Sequence, residues 1–210
     1  MAPRLCSVAG IVLAGGAGSR YGQPKALVRD DRGVDWLVHA VTTLEAGGCS
    51  PVIVVLGASG DEAQNRLRAG HLTTPIVIVQ ATEWAKGLSA SLSAALVAAE
   101  PLDAVAVAVV PVDVPDLNAA TVARMIGAYP AADGRDEVPA NRVQADTLRQ
   151  ARFQGSPGHP VVLGRAHWSR LRAQLTGDSG AGSYLNEHGA QRIECGDLSS
   201  GIDVDTRIIP

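Results

Sequence analysis

Four short, uninterrupted apolar runs set the fold class of this chain. Val8–Leu13, Pro51–Leu56, Pro75–Val79 and Ala104–Val110 carry no polar side chain at all. Runs this short read as strands rather than buried helices, and strands apolar on both faces belong in a parallel sheet covered on each side. Helical stretches separate them. Val34–Ala46 ends at Gly47-Gly48, Asp61–Ala69 is polar, and Gly87–Ala99 stops before Pro101. Asn118 reads as the cap of a further helix running through Ala128. The second half is less regular. Residues 130–146 are polar, strands are expected at Leu148–Phe153 and Pro160–Leu163 with a Gly/Pro-rich turn between, and helices at Arg165–Leu175 and Ala181–His188. Short strands are expected at Gln191–Cys195 and Ile202–Val204. Repeated βα units with right-handed crossovers predict an α/β chain, a Rossmann-like three-layer α/β/α sandwich on a mostly parallel mixed sheet. With no internal repeat or linker, 210 residues suit a single domain spanning 1–210.

Composition narrows the partners. Aromatic residues make up 3% of the chain and the formal charge is −3, so neither a stacking platform nor a basic footprint is present. No nucleic-acid partner is expected. Cys6, Cys49 and Cys195 are odd in number and lack metal-ligand spacing, which suits small apolar residues in a reducing cytoplasm. The apolar start resembles a signal peptide only superficially, because glycines break it and it runs into Arg20 and Lys25. No other apolar run approaches the ~20 residues needed to cross a bilayer, so no membrane association is expected.

The first strand opens into Leu13-Ala14-Gly15-Gly16-Ala17-Gly18-Ser19-Arg20, followed by Gly22 and Lys25. Glycines placed directly after a strand let backbone N–H groups approach an anion without obstruction by Cβ. A Walker A loop would need Ser or Thr after the lysine, but Ala26 follows Lys25. A dinucleotide fingerprint needs G-x-G-x-x-G opening a helix. Here the spacing is G-x-G-x-x-x-G, Pro24 stands where the helix should run, and no acidic residue closes the second strand.

The pattern L-A-G-G-x-x-x-R-x-G-x-x-K resembles the signature of the MobA-like nucleotidyltransferases. In ligand sites of open α/β sheets the substrate lies beyond the carboxyl ends of the strands. The resemblance extends along most of the chain. Trp84–Leu92 resembles the G-M-x-x-S-L segment of the molybdenum cofactor cytidylyltransferase branch, which implies nucleotide contacts from Gly87 and Ser91 beside those of Leu13, Ala14, Gly15, Gly16, Gly18 and Ser19. Asp113, in Pro111-Val112-Asp113-Val114-Pro115, stands at the family's D-x-P metal ligand. Gly155–Leu163 resembles an acceptor-side element containing His159, and Gly177–Ala181 another containing Asp178, with Gly182 where the family has arginine. Asp203-Val204-Asp205-Thr206 resembles the D-I-D-T-P element, with Asp205 the second metal ligand, Asp203 the weaker alternative, and Arg207 in place of proline.

The resemblance implies a Mg²⁺-dependent transfer of a nucleoside monophosphate from a triphosphate to a small phosphorylated acceptor. Arg20 and Lys25 would brace the phosphates, and Asp113 and Asp205 would hold the metal. The loop's Gly15 follows the guanylyltransferases, whereas the Arg20-to-Lys25 spacing and the later segments follow the cytidylyltransferases, so CTP is favoured and molybdopterin is the implied acceptor. A molybdoenzyme or maturation factor is then the implied protein partner. Molybdopterin guanylyltransferase, methylerythritol-phosphate cytidylyltransferase, phosphoenolpyruvate guanylyltransferase and a non-catalytic nucleotide or pterin-binding module remain alternatives.

Overall fold

A computed structural model describes residues 7–70, 72–128 and 142–206. Cys6, Arg207 and most of the irregular segment expected at 130–146 lie outside the described residues. The four apolar runs become β1 (Ser7–Ala14), β2 (Val52–Leu56), β3 (Ile76–Gln80) and β4 (Ala104–Pro111). They pair in parallel, and a hairpin of β5 (Leu148–Phe153) and β6 (Ser156–Gly164) continues the sheet, with β7 (Gln191–Glu194) beyond it. The strand order is β3-β2-β1-β4-β6-β5-β7, with β6 antiparallel to both of its neighbours.

Side chains alternate along each strand, so the sheet feeds two cores. Val8, Val12, Val54 and Val110 pack on one face with α1 (Trp36–Ala46), α2 (Gly60–Ala69) and α4 (Ala119–Ile126). Ile11, Leu13, Val55 and Val109 pack on the other with α3 (Leu88–Ala99), α5 (Trp168–Gln174) and α6 (Gly182–Glu187). The expected three layers are present. Asn118 caps α4 by accepting from the Thr121 N–H at 2.9 Å, an interaction worth about 1 kcal/mol. That helix ends two residues earlier than expected, because Gly127 adopts φ 69° and turns the chain.

Two expectations need correction. The turn placed between Phe153 and Pro160 is confined to Gln154-Gly155, both at positive φ as a tight hairpin requires, and β6 begins at Ser156. Pro157 pairs with Arg152 of β5, and Pro160 precedes the pairing with β4, which starts at Val161, so neither imide nitrogen removes a donor from the β4 ladder. The strand expected at Ile202–Val204 does not form. Ile202 is 65% exposed, and the segment lies along the loop that follows β4 instead of beside a strand.

Cys49 and Cys195 are free and buried, as small apolar residues in the core. Burial pushes the Cys49 thiol up to about 12, so it stays protonated and inert at neutral pH. Native protein treated with iodoacetamide at pH 8 should therefore leave Cys49 unmodified in a peptide mass map, with full modification after denaturation. Rapid native alkylation would show that the helix α1–β2 corner opens. Among the described residues no helix is long and apolar enough to cross a membrane.

Candidate active site

Strand register assembles the site. Leu13 of β1 stands beside Val55 of β2 and Pro111 of β4, so the three strands end together. The Val112 N–H then donates to the Leu13 carbonyl at 3.1 Å and carries the pairing past the strand end. This sets Asp113 next to the glycine loop. The loop closes on itself through the Gly18 carbonyl, which accepts from the N–H groups of Tyr21 and Gly22 at 2.9 Å each. It leads into a single 3₁₀ turn at Lys25–Leu27 rather than a long helix. That turn is held from behind by Arg66, which donates to the Leu27 carbonyl and to Asp35, both at 2.7 Å. Asp35 precedes α1 but does not cap it with its side chain, because its carboxylate faces Arg66 and Arg29.

Asp205 arrives from the other end of the chain. Asp116 accepts from the Ser200 N–H at 2.6 Å, Asn118 donates to the Leu198 carbonyl at 2.5 Å, and the Val204 N–H donates to the Asp113 carbonyl at 2.9 Å. These bonds lay residues 198–204 along the loop after β4 and deliver Asp205 opposite Asp113. Lys25 sits between them. Its Nζ donates to Asp113 Oδ2 at 2.6 Å and to Asp205 Oδ1 at 2.8 Å. Arg20 reaches Asp205 Oδ2 at 4.0 Å but is 80% exposed. The Lys25 and Asp113 side chains are only 15% and 17% exposed, so their pairing is shielded in a way that of Arg20 is not. Burial by itself would lower the Lys25 pKa, but the two carboxylates outweigh it and raise it. Lys25 in turn holds the Asp205 carboxyl below the usual carboxylate range. Asp113 Oδ1 is buried with no hydrogen-bond partner.

These groups line a cavity of about 370 Å³. Of the residues singled out in the sequence, Leu13, Ala14, Gly16, Gly18, Ser19, Arg20, Lys25, Asp113, Asp178 and Asp205 line it together. Tyr21, Leu88, Pro111 and Val112 also line it and were not anticipated. Tyr21 rests against the Trp36 ring, 5.5 Å between centroids, and Leu88 is the exposed first residue of α3. The signal in the sequence was adjacency alone, since Pro111 and Val112 run into Asp113, Tyr21 follows Arg20 and Leu88 follows Gly87.

Five candidates, Asp203 among them, lie outside the lining. Gly15 and the buried Ser91 stand back to back, with Ser91 Oγ 3.0 Å from where a Gly15 Cβ would project. Gly87, at φ 106°, faces the Gly177-Asp178 turn so closely that a Cβ would come within 2.4 Å of Asp178 Oδ1. The Ser89 N–H donates to the Gly177 carbonyl at 3.1 Å, so the start of α3 and the Asp178 loop form one wall. The His159 Nδ1–H donates to the Val109 carbonyl at 3.4 Å. Burial holds the His159 imidazole below its ordinary pKa, although that hydrogen bond and the charges of Asp113 and Asp203 oppose the effect. It is neutral at neutral pH.

A family model described as the MobA-like NTP transferase domain matches residues 10–193. The chain belongs to this family. A relative, nicotine blue oxidoreductase of Paenarthrobacter nicotinovorans, is 34% identical over 202 residues, covering 95% of this chain and 92% of that protein. The crystal structure of Rv0371c from Mycobacterium tuberculosis H37Rv is 25% identical with a TM-score of 0.68, covering 96% of this chain and 93% of its own. A complex of that protein with manganese is 24% identical with a TM-score of 0.64, covering 94% of each chain. A nucleotidyl transferase from Methanothermobacter thermautotroptrophicus shares the fold at a TM-score of 0.72 and 19% identity, covering 95% of this chain and 92% of its own.

A divalent metal ion suits the donor set. Asp113 and Asp205 offer hard carboxylate oxygens, and the buried Asp113 Oδ1 lacks a partner. Among the described residues no group of three or more His, Cys, Asp or Glu side chains could hold an ion alone. Mg²⁺ is commonly held in this partial way, by one or two carboxylates, with substrate phosphates and water completing its shell.

Proposed function

We propose that this chain transfers a nucleoside monophosphate from a triphosphate, with CTP favoured, to a phosphorylated small-molecule cofactor such as molybdopterin. The observation that carries this reading is the meeting of Lys25, Asp113 and Asp205, drawn from three distant parts of the chain, on a cavity walled by the glycine loop. In the reaction, an oxygen of the acceptor phosphate attacks the α-phosphorus. The bond to the β-phosphate oxygen breaks, and pyrophosphate leaves with the electron pair. An acceptor phosphate is already anionic, so no general base is required, which agrees with His159 standing outside the cavity lining.

Asp113 and Asp205 would hold Mg²⁺, which when bound neutralises charge on the α-phosphate. Lys25 and Arg20 would brace the polyphosphate, and the glycine loop would let its amides approach the same oxygens. The preference for CTP is supported by the segments at Gly87, Gly158-His159-Pro160 and Asp203–Thr206, which follow the cytidylyltransferase branch. A molybdoenzyme or maturation factor would receive the product, and the cytoplasm is the compartment that this chemistry suits.

A second reading comes from the relative in P. nicotinovorans, whose name is that of an oxidoreductase. On that reading the cavity takes a redox-active small molecule. The loop geometry does not favour a dinucleotide there, because Gly18–Gly22 runs into one 3₁₀ turn and α1 begins only at Trp36. A screen of four triphosphates against molybdopterin and other phosphorylated acceptors, scored by pyrophosphate release, separates the two. Turnover with CTP and a phosphorylated acceptor is the expected result. Absence of release with every pair, together with reduction of nicotine blue by a nicotinamide donor, would replace transfer with the redox reading.

A further inference from the structure

The cation best placed to meet a polyphosphate is already engaged. Lys25 Nζ lies within 2.8 Å of both Asp113 and Asp205, and its side chain is largely shielded from solvent. The other cation on the cavity, Arg20, is exposed and touches Asp205 only at 4.0 Å. Taken together, the charged side chains lining the cavity are Arg20 and Lys25 against Asp113, Asp178 and Asp205, a formal balance of −1. A free triphosphate of about four negative charges would meet a net negative cavity whose shielded cation is spoken for.

We propose that Lys25 is an internal counter-ion that occupies the carboxylate pair in the ligand-free protein, keeps divalent ions out of it, and is released onto the phosphates only when a polyphosphate arrives. The inference rests on the reading of Asp113 and Asp205 as metal ligands. Lysine suits such an exchange, since its ammonium is a compact point charge on a flexible four-carbon stem and can change partners without moving the backbone. The backbone here is fixed, because Arg66 pins the Lys25–Leu27 turn from behind. The ammonium also satisfies the pair incompletely. It takes one oxygen of each carboxylate and leaves Asp113 Oδ1 buried and unpartnered. A doubly charged ion can displace it once phosphate oxygens offer the ammonium another home. Metal and nucleotide then enter together, and the empty protein does not load metal by itself.

The test is a nucleotide-free Mn²⁺ titration, with free ion counted by electron paramagnetic resonance. It compares the wild type, Lys25→Gln, Lys25→Met, and each neutral variant combined with Asp113→Asn, all checked for folding by thermal melting. The expected result is that both neutral variants bind Mn²⁺ at least tenfold more tightly than the wild type, and that Asp113→Asn removes the gain. No gain in either neutral variant, including no binding by any protein, overturns the counter-ion role. If the wild type binds as tightly as the neutral variants and Asp113→Asn abolishes binding, the ligand reading stands and only the exchange falls. A gain that survives Asp113→Asn places the ion elsewhere and removes both.

Discussion

Asp113→Asn is expected to slow pyrophosphate release by about 10³-fold, while the melting temperature stays within roughly 4 °C of the wild type. The size of the kinetic loss follows from what the carboxylate offers. Asp113 is the less exposed of the two acids facing Lys25, and one of its oxygens is buried with nothing to bind. Removing one preorganised charged contact to a developing phosphorane costs on the order of 10²–10³ in rate, and a lost metal ligand belongs at the upper end. The small effect on stability follows from Lys25 keeping Asp205 at 2.8 Å, so no buried charge is orphaned. A loss of about 1 kcal/mol shifts the midpoint by roughly 2–4 °C in a chain of this size. Asp203→Asn serves as the contrast. Its side chain forms no ion pair with Lys25, so it should retain most of the activity. Stopped-flow measurement of pyrophosphate release on both variants checks this, and equal rates in Asp113→Asn and wild type would remove Asp113 from the metal.

The parallel half of the fold was legible because its strands are apolar runs on both faces, three of the four closed by Gly or Pro and β3 opened by Pro75. Those runs also located one edge of the candidate site, since parallel strands of similar length must end together, and the residues that follow them face one crevice. Asp113 is read in that way, whereas Arg20 and Lys25 are read from the loop motif. Asp205 is different. Its motif named the residue, but nothing local could show that bonds from Asp116, Asn118 and Val204 lay the chain along the β4 loop. The alternation of Ile202 and Val204 mimics a strand, and only the absence of an adjoining sheet edge decides against it. Gly15 and Ser91 illustrate the same boundary. Both sit at motif positions, yet their mutual contact is a matter of how α3 packs over β1, which spacing along one chain does not encode.

The glycines of the loop separate two demands that the motif merges. Gly18 is needed for the shape of the loop. It holds φ 63°, and a Cβ there would fall 1.8 Å from the Gln23 carbonyl oxygen, a backbone atom that cannot swing aside. Gly18→Ala should therefore cost about 2 kcal/mol from the left-handed conformation and the clash together, lowering the melting temperature by roughly 4–8 °C. Because the Gly18 carbonyl also ties down Tyr21 and Gly22, the displaced loop should bind a non-hydrolysable triphosphate at least about tenfold more weakly, a loss of ~1.4 kcal/mol or more. Gly16 lines the same cavity, but a Cβ there meets no protein atom within 4 Å and its φ is not left-handed. Gly16→Ala should leave the melting temperature unchanged and still weaken the triphosphate, because the added methyl stands where a phosphate oxygen must approach the backbone. Calorimetric titration and thermal melting of the two variants read both quantities. If Gly16→Ala bound the triphosphate as tightly as wild type, the polyphosphate would not lie on this loop, and the cation between Asp113 and Asp205 would be waiting for a different ligand.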